Sequence, residues 1–84
     1  MAEVVIYTRG YCHYCDSAKK LLDSKGVEYS EVSLDEDPEK LKEMIERSNR
    51  RTVPQIFIDG KSIGGFDDLN ALERAGELDK LLGK

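Results

Sequence analysis

The segment that decides the fold begins with Val4-Val5-Ile6-Tyr7-Thr8, a run of β-branched and aromatic residues that stops shortly before Gly10. Such a run is typical of a buried strand. A helix is expected over residues 15–25, because the apolar residues there repeat at the i, i+3, i+4 spacing of one helix face. Gly26 supplies a stop just beyond the expected helix.

A second strand is predicted over residues 27–34, where apolar and polar side chains alternate with a slip of one residue at Ser30-Glu31. A strand, a helix and a strand within this length imply a parallel pair joined by a right-handed crossover. The first part of the chain therefore predicts a βαβ unit, and with it the α/β class.

The rest of the chain predicts a helix, a β-hairpin and two further helices. Asp37 is expected to cap the first of these helices, with Pro38 in its first turn and an end near Ser48. Asp59-Gly60 is a strong signal for a hairpin turn. The remaining elements are expected at residues 53–58 and 61–64 as strands, and at residues 66–75 and 78–82 as helices. Together they predict a four-stranded mixed sheet with helices on both faces.

Length and charge limit the class of protein. The chain has 84 residues and a formal net charge of −4. The length predicts one domain over residues 1–84. We expect the protein to be a monomer. A sequence pI near 5.0 argues against a nucleic-acid interface built on phosphate contacts. Two cysteines are too few for a disulfide-rich secreted scaffold.

The N-terminal residues carry no basic segment before a long apolar run and no small-residue cleavage site, so we expect no signal peptide. No apolar stretch approaches the roughly 18–20 residues that span a bilayer, so we expect no membrane partner. The expected location is the cytoplasm, where thiols stay reduced and a C-x-x-C pair is more often reactive than structural.

The two cysteines, Cys12 and Cys15, lie between the first strand and the first helix. A spacing of three on a helical turn puts both sulfurs on one face. The positive N-terminal end of the helix favours a thiolate, and Arg9 and His13 could add to this effect. Cys12 is therefore the candidate nucleophile and Cys15 the candidate resolving thiol.

The pair allows two other interpretations. A structural zinc site needs four ligands, whereas the chain has two cysteines and one histidine, His13, which lies between them, so no metal site is expected. An inert buried pair stays open on spacing alone, because free cysteine packs well in a core. The βαβ context and the absence of secretion signals favour a redox pair.

Several motifs together resemble one family. They are Thr8-Arg9, Cys12-His13-Tyr14-Cys15, Thr52-Val53-Pro54 and Gly64-Gly65-Phe66-Asp67-Asp68. In order and spacing, over nearly the whole chain, the sequence resembles a small bacterial dithiol glutaredoxin. The resemblance implies a thioredoxin fold and the glutathione-dependent reduction of protein disulfides and of protein–glutathione mixed disulfides. The partners it implies are glutathione and oxidised or glutathionylated proteins, with ribonucleotide reductase as one candidate.

The resemblance also implies a glutathione site, with a cis proline at Pro54 facing the cysteines. The backbone of Val53 would pair with the tripeptide like an added strand. The N–H groups near Phe66 and Asp67 would bind a carboxylate, and Asp67 would pair with an ammonium or cap the helix. The implied contact residues are Arg9, Tyr14, Thr52, Val53, Pro54, Gly65, Phe66 and Asp67. For Arg47, Arg50 and Arg51, a solvated surface is favoured over ligand contacts.

One position departs from the usual C-P-Y-C pattern, since His13 replaces the proline. Some family members without that proline bridge a [2Fe–2S] cluster between two subunits, with the nucleophilic cysteine and glutathione as ligands. Cluster binding is therefore kept as a lesser alternative. Another alternative is a redoxin reduced by thioredoxin reductase and serving ribonucleotide reductase, although the segment from Gly64 to Asp68 counts against it.

Overall fold

The computed structural model describes residues 2–84 and confirms the predicted order of strands and helices. In chain order the elements are β1 (Val4–Thr8), α1 (His13–Ser24), β2 (Ser30–Ser33), α2 (Lys40–Ser48), β3 (Gln55–Ile58), β4 (Lys61–Gly64), α3 (Phe66–Arg74) and α4 (Leu78–Leu81). None of the helices in this part of the chain has the length and apolarity that a membrane crossing requires.

The four strands form one mixed sheet in the order β2-β1-β3-β4. β1 pairs with β2 in parallel, with Val5 opposite Ser30, as a βαβ unit requires. β3 runs antiparallel to both β1 and β4, so the Asp59-Gly60 turn closes the predicted hairpin. The predicted mixed sheet is confirmed, and β1, which leads to Cys12, lies at its centre.

Side chains that alternate along the central strands fill two cores, one on each face of the sheet. On one face, Ile6 and Ile56 pack with Leu22 of α1 and Leu69 of α3. On the other face, Tyr7 and Phe57 pack with Met44 of α2. The expectation of helices on both faces is confirmed, and β1 is buried on both because it contributes to each core.

Two element boundaries differ from the predictions at the N-terminal side of the element. β2 begins at Ser30 and not at residue 27, because its pairing with β1 starts only where Val5 lies opposite Ser30. α2 begins at Lys40, and Glu39 occupies its N-cap position without a side-chain bond, so the predicted Asp37 cap is wrong. The Asp37 carbonyl instead accepts from the Lys40 amide at 3.0 Å, in a turn that precedes the helix.

Two further boundaries move near the cysteines and the proline. α1 begins at His13, two residues earlier than predicted, because Cys12 caps it. β3 begins at Gln55 and not at residue 53, since Pro54 has no N–H for a ladder bond. The Val53–Pro54 peptide is cis, as the resemblance implies.

The packing of α1 predicts a clear stability difference between two of its residues. Leu22 is fully buried, so Leu22→Ala should lower the free energy of unfolding by about 2–5 kcal/mol through lost burial and a cavity. Lys20→Ala on the same helix is the control, because Lys20 is exposed. Urea unfolding followed by circular dichroism measures both, and similar effects for the two variants would contradict this packing.

Candidate functional site

Cys12 is the N-cap residue of α1, with extended backbone. The backbone amide of Cys15 donates a hydrogen bond to Cys12 Sγ at 3.0 Å, so the sulfur takes the place that a serine or aspartate oxygen usually fills. This amide and the positive helix end both stabilise negative charge on the sulfur. The predicted position of Cys12 at the helix N-terminus is confirmed.

The two cysteines differ in their access to solvent. They are joined as a disulfide, with Cα atoms 5.1 Å apart. Cys15 is buried, with 1% of its surface exposed, whereas Cys12 is partly exposed. An attacking thiol therefore meets Cys12 first, which is the geometry required of a nucleophile and a resolving partner.

The loop between β1 and α1 is held by an acidic side chain from the loop that follows β2. The Gly10 amide donates to Asp35 Oδ2 at 2.7 Å, and a Cβ at Gly10 would lie only 3.1 Å from that oxygen. Tyr11 follows with a left-handed backbone, φ 55°, and directs the chain into the helix. The Cys12 carbonyl then accepts the first helical bond, from the Asp16 amide at 3.1 Å.

A cleft of about 340 Å³ lies beside Cys12, between the loop before β3 and the start of α3. The Val53 carbonyl oxygen at its edge lies 3.9 Å from Cys12 Sγ. The residues that line this cleft, called here the Val53 cleft, are Tyr14, Arg50, Thr52, Val53, Pro54, Gly65, Phe66, Asp67 and Asp68. All of the predicted contact residues except Arg9 are therefore brought together in one place.

Arg9 lies elsewhere in the described structure. Its guanidinium is 3.6 Å from the Asp35 carboxylate, on the side of β1 that faces β2. The Val53 cleft lies on the other side of β1, next to β3 and β4. Arg9 therefore does not line the Val53 cleft, unlike the other predicted contact residues.

Arg50 and Asp68 form an ion pair that fastens the two walls of the Val53 cleft. Arg50 Nη1 donates to Asp68 Oδ2 at 2.7 Å, and the Gly65 amide donates to the same oxygen at 3.0 Å. The Arg50 guanidinium, followed by the Gly65 amide, holds the pKa of Asp68 below its usual value. Sequence reasoning named neither residue as a site residue, although an acidic side chain three positions after Gly65 fits the capping pattern of a helix start.

Asp68 and not Asp67 therefore caps α3, so the helix-capping interpretation of Asp67 is wrong. Asp67 is exposed and lines the Val53 cleft beside the ion pair. Its carboxylate makes no hydrogen bond or ion pair within residues 2–84. It is consequently the carboxylate of the cleft that can meet an incoming cation.

Two glycines allow the cleft walls to approach each other. At Gly64, with φ 110°, a Cβ would overlap the Asp68 carboxylate and lie 2.8 Å from Arg50 Nη1. At Gly65 a Cβ would lie 3.4 Å from the Pro54 carbonyl oxygen. The Gly64-Gly65 pair thus makes room for the ion pair on one side and for the proline loop on the other.

The other two arginines for which a solvated surface is predicted, Arg47 and Arg51, are not among the residues that line the Val53 cleft. The Arg47 guanidinium lies 4.2 Å from the centre of the Phe57 ring and donates to the Tyr7 hydroxyl at 3.0 Å. That hydroxyl donates to Glu43 at 2.6 Å, and burial raises the pKa of Tyr7. Arg47 therefore fastens α2 to the sheet, while Arg51 is exposed beside α2.

Tyr14 and Phe66 form the apolar wall of the Val53 cleft. Their rings are stacked, with centroids 6.3 Å apart and planes 27° apart. Tyr14 is 63% exposed, so most of its ring remains open to a ligand.

Within the described residues, no group of three or more His, Cys, Asp or Glu side chains could hold a metal ion. A cluster held by Cys12 and an outside thiol would not need such a group, so cluster binding stays a prediction.

The protein-family model for glutaredoxin matches residues 4–63. The chain belongs to the glutaredoxin family. It is 57% identical to glutaredoxin 3 of Escherichia coli K12 over 82 residues, which cover 98% of this chain and 99% of that glutaredoxin. It is 51% identical to a glutaredoxin of Pseudomonas aeruginosa over 82 residues, with 98% of each chain covered.

Solved glutaredoxin structures share the fold. The solution structure of a glutaredoxin from Brucella melitensis is 53% identical, with a TM-score of 0.85, and covers 100% of this chain and 94% of its own. The crystal structure of the buckwheat glutaredoxin–glutathione complex is 34% identical, with a TM-score of 0.91, and covers 98% and 77%. The predicted thioredoxin fold is confirmed, and this glutaredoxin is a thiol–disulfide oxidoreductase with a redox-active cysteine pair.

The depressed pKa of Asp68 predicts how the cap responds to pH. Because the folded-state pKa is below the unfolded value of 3.8, the ionised carboxylate stabilises the fold fully above pH 3.8 and loses this effect as the pH falls towards the folded value. Asp68→Asn should therefore cost about 0.5–1 kcal/mol at pH 7, the scale of a solvent-accessible ion pair. The difference from the unsubstituted chain should shrink as the pH falls below 3.8.

Urea unfolding at neutral and acidic pH measures this difference. Asp67→Asn is the matched control, since it removes the same charge from the neighbouring residue without breaking the ion pair. A pH-independent cost of Asp68→Asn, or an equal cost in the control, would show that the Arg50–Asp68 pair does not hold the cap.

Proposed function

We propose that this glutaredoxin reduces protein disulfides and protein–glutathione mixed disulfides at the expense of glutathione. The observation that carries the proposal is the position of Cys12 Sγ, 3.9 Å from the Val53 carbonyl oxygen at the edge of the Val53 cleft. A tripeptide bound along that cleft would present its sulfur to Cys12. The buckwheat relative, whose solved structure is a glutathione complex, supports this choice of ligand.

The chemistry of the cleft matches the groups of glutathione. The backbone of Val53 lies outside β3, so its polar groups can pair with an extended peptide as an added strand would. The first amides of α3, at Phe66 and Asp67, suit the carboxylate of a γ-glutamyl group. The exposed Asp67 carboxylate suits its ammonium, while Asp68 is already engaged with Arg50. One wall thus recognises both charges of the γ-glutamyl end.

For a glutathionylated protein, the Cys12 thiolate attacks the glutathione sulfur of the mixed disulfide. The protein leaves as a thiolate, and Cys12 is joined to glutathione. A second glutathione thiolate attacks the sulfur of the bound glutathione, which releases glutathione disulfide and regenerates the Cys12 thiolate. One free glutathione is consumed, the other half of the glutathione disulfide comes from the substrate, and Cys15 takes no part.

For a protein disulfide, Cys12 attacks one substrate sulfur and the other substrate sulfur leaves as a thiolate. Cys15 then attacks Cys12, which releases the reduced substrate and forms the Cys12–Cys15 disulfide. Two glutathione molecules reduce that disulfide through a mixed disulfide on Cys12, the accessible sulfur. The Cys15 amide bonded to Cys12 Sγ stabilises the thiolate each time Cys12 leaves.

Substitution of Cys15 and of Cys12 should have different effects on two kinds of substrate. Cys15→Ser should retain reduction of a glutathionylated peptide but lose reduction of a protein disulfide, because only the second needs a resolving thiol. Cys12→Ser should lose both activities. The assay couples glutathione to glutathione reductase and follows NADPH oxidation.

The same assay with thioredoxin reductase in place of glutathione and its reductase is the control for the electron source. Equal losses in the two cysteine variants would contradict their assigned roles. Efficient turnover with thioredoxin reductase alone would favour the redoxin alternative over the glutathione-dependent function.

Asp67 should decide the affinity for glutathione. Asp67→Asn should raise the KM for glutathione about fivefold to tenfold, the effect of about 1–1.4 kcal/mol from one partly exposed charged contact. Asp23→Asn is the matched control, because Asp23 is an exposed residue near the far end of α1. Steady-state kinetics over a range of glutathione concentrations measures both variants, and an unchanged KM in Asp67→Asn would remove the ammonium contact from the proposal.

A further inference from the structure

Tyr11 combines two unusual properties next to the nucleophile. Its side chain is fully exposed. Within residues 2–84, Tyr11 and Tyr14 are the two large hydrophobic residues that are exposed. Its backbone is left-handed, φ 55°, a conformation that Gly and Asn adopt at lower cost than an aromatic residue. A fully exposed ring contributes no burial to the hydrophobic core, and exposed tyrosines are common where a partner binds.

Tyr11 lines a second cleft, of about 510 Å³, which we call the Tyr11 cleft. This cleft is formed by the end of β1, the start of α1, the end of β2 and the loop that follows β2. The Val53 cleft is formed next to β3 and β4. Since the sheet order is β2-β1-β3-β4, Cys12, where the loop from β1 enters α1, lies between the two clefts.

The Tyr11 cleft carries an excess of negative charge. Its carboxylates are Asp16, Glu31, Asp35 and Glu36, and its cations are Arg9 and Lys19. Each cation already has a carboxylate partner, since Arg9 lies 3.6 Å from Asp35 and Lys19 lies 3.2 Å from Glu31. The exposed carboxylate of Glu36 makes no ion pair within the described chain, so the cleft offers uncompensated negative charge beside an exposed aromatic ring.

We propose that the Tyr11 cleft receives the polypeptide of a protein substrate next to its reactive cysteine, and that it favours a lysine or arginine there. A cation gains from the ring face of Tyr11 and from the acidic lining. The inference rests on the proposed function and adds the class of protein substrate to it. Glutathione occupies the Val53 cleft on one side of Cys12, and the protein chain extends over the other side.

The chemistry of cysteine oxidation is consistent with this preference. A lysine or arginine beside a cysteine lowers the pKa of its thiol, and the thiolate is the form that is oxidised or glutathionylated. We therefore expect cations near the cysteines on which a disulfide reductase acts. A basic segment is attracted by the acidic lining of the Tyr11 cleft, whereas the γ-glutamyl carboxylate of glutathione is expected at the first amides of α3.

Two glutathionylated peptides test the preference. They have the same sequence except that the residues flanking the cysteine are lysine in one and glutamate in the other. The kcat/KM of the full chain for each peptide is measured at low and at high salt, with glutathione and glutathione reductase as the electron source. The lysine peptide should be favoured about fivefold to tenfold at low salt, and less at high salt because exposed charges are screened.

Four variants locate the preference. Tyr11→Asn tolerates the left-handed backbone but removes the ring, and Glu36→Gln removes one charge; each should reduce the ratio of the two kcat/KM values at least twofold. Tyr11→Phe keeps a ring and should keep most of the ratio. Glu28→Gln, an exposed residue beyond the end of α1, is the control for charge and should leave the ratio unchanged.

The outcomes separate this inference from the proposed function. A ratio near one for the unsubstituted chain, or a ratio that Tyr11→Asn and Glu36→Gln leave intact, would overturn the role of the Tyr11 cleft. Turnover of the mixed disulfide of glutathione and free cysteine, which has no flanking residues, tests the proposed function by itself. If the unsubstituted chain failed to reduce that small substrate, the glutathione-dependent function would be wrong.

Discussion

The Cys15 amide donates to Cys12 Sγ at 3.0 Å, and the rest of the site depends on this bond. It begins α1, because the sulfur satisfies one of the amides that a helix leaves free at its start. It also stabilises the thiolate that attacks a disulfide. The bond can form only if the loop from β1 brings Cys12 to the helix axis, and Asp35 holds that loop through the Gly10 amide. The position of Cys12 at the start of α1 therefore serves both the formation of the helix and the reactivity of the thiolate.

The Val53 cleft depends on a different set of interactions, which hold two separate chain segments at a fixed distance. Arg50 comes from the loop before β3, and Asp68 comes from the first turn of α3. Their ion pair is accessible to solvent and contributes little stability by itself. Its importance is geometric, because the Gly65 amide bonded to the same carboxylate fixes where the helix begins. The first free amides of α3 are thereby directed towards the cleft.

Much of the architecture could be predicted from the sequence because it follows from local patterns. The apolar run Val4–Thr8, the helix that Cys12 caps and the Asp59-Gly60 turn each carry a signal within a few residues. The start of β2 could not be predicted, since it depends on register with β1 and not on its own alternation.

The candidate site was predictable to a similar extent. The C-x-x-C pair and the family motifs identified Cys12 and most of the residues that line the Val53 cleft. The ion pair between Arg50 and Asp68 was missed because its members are eighteen residues apart and meet only after folding. The exposed ring and left-handed backbone of Tyr11 carry no sequence signal, because tyrosine is usually found partly buried. Arg9 is not among the residues that line the Val53 cleft, because its guanidinium lies 3.6 Å from Asp35 on the side of β1 that faces β2.

The burial of Cys15 also limits how this glutaredoxin can be damaged. A peroxide that reaches the pair meets Cys12 and converts its thiolate to a sulfenic acid. The Cys15 thiol lies one helical turn away, with its Cα 5.1 Å from that of Cys12, and condenses with the sulfenic acid to give the disulfide and water. The product is the same Cys12–Cys15 disulfide that the pair forms in thiol–disulfide exchange. An accidental oxidation of Cys12 is thus returned to the normal cycle before it can advance to the irreversible sulfinic and sulfonic acids.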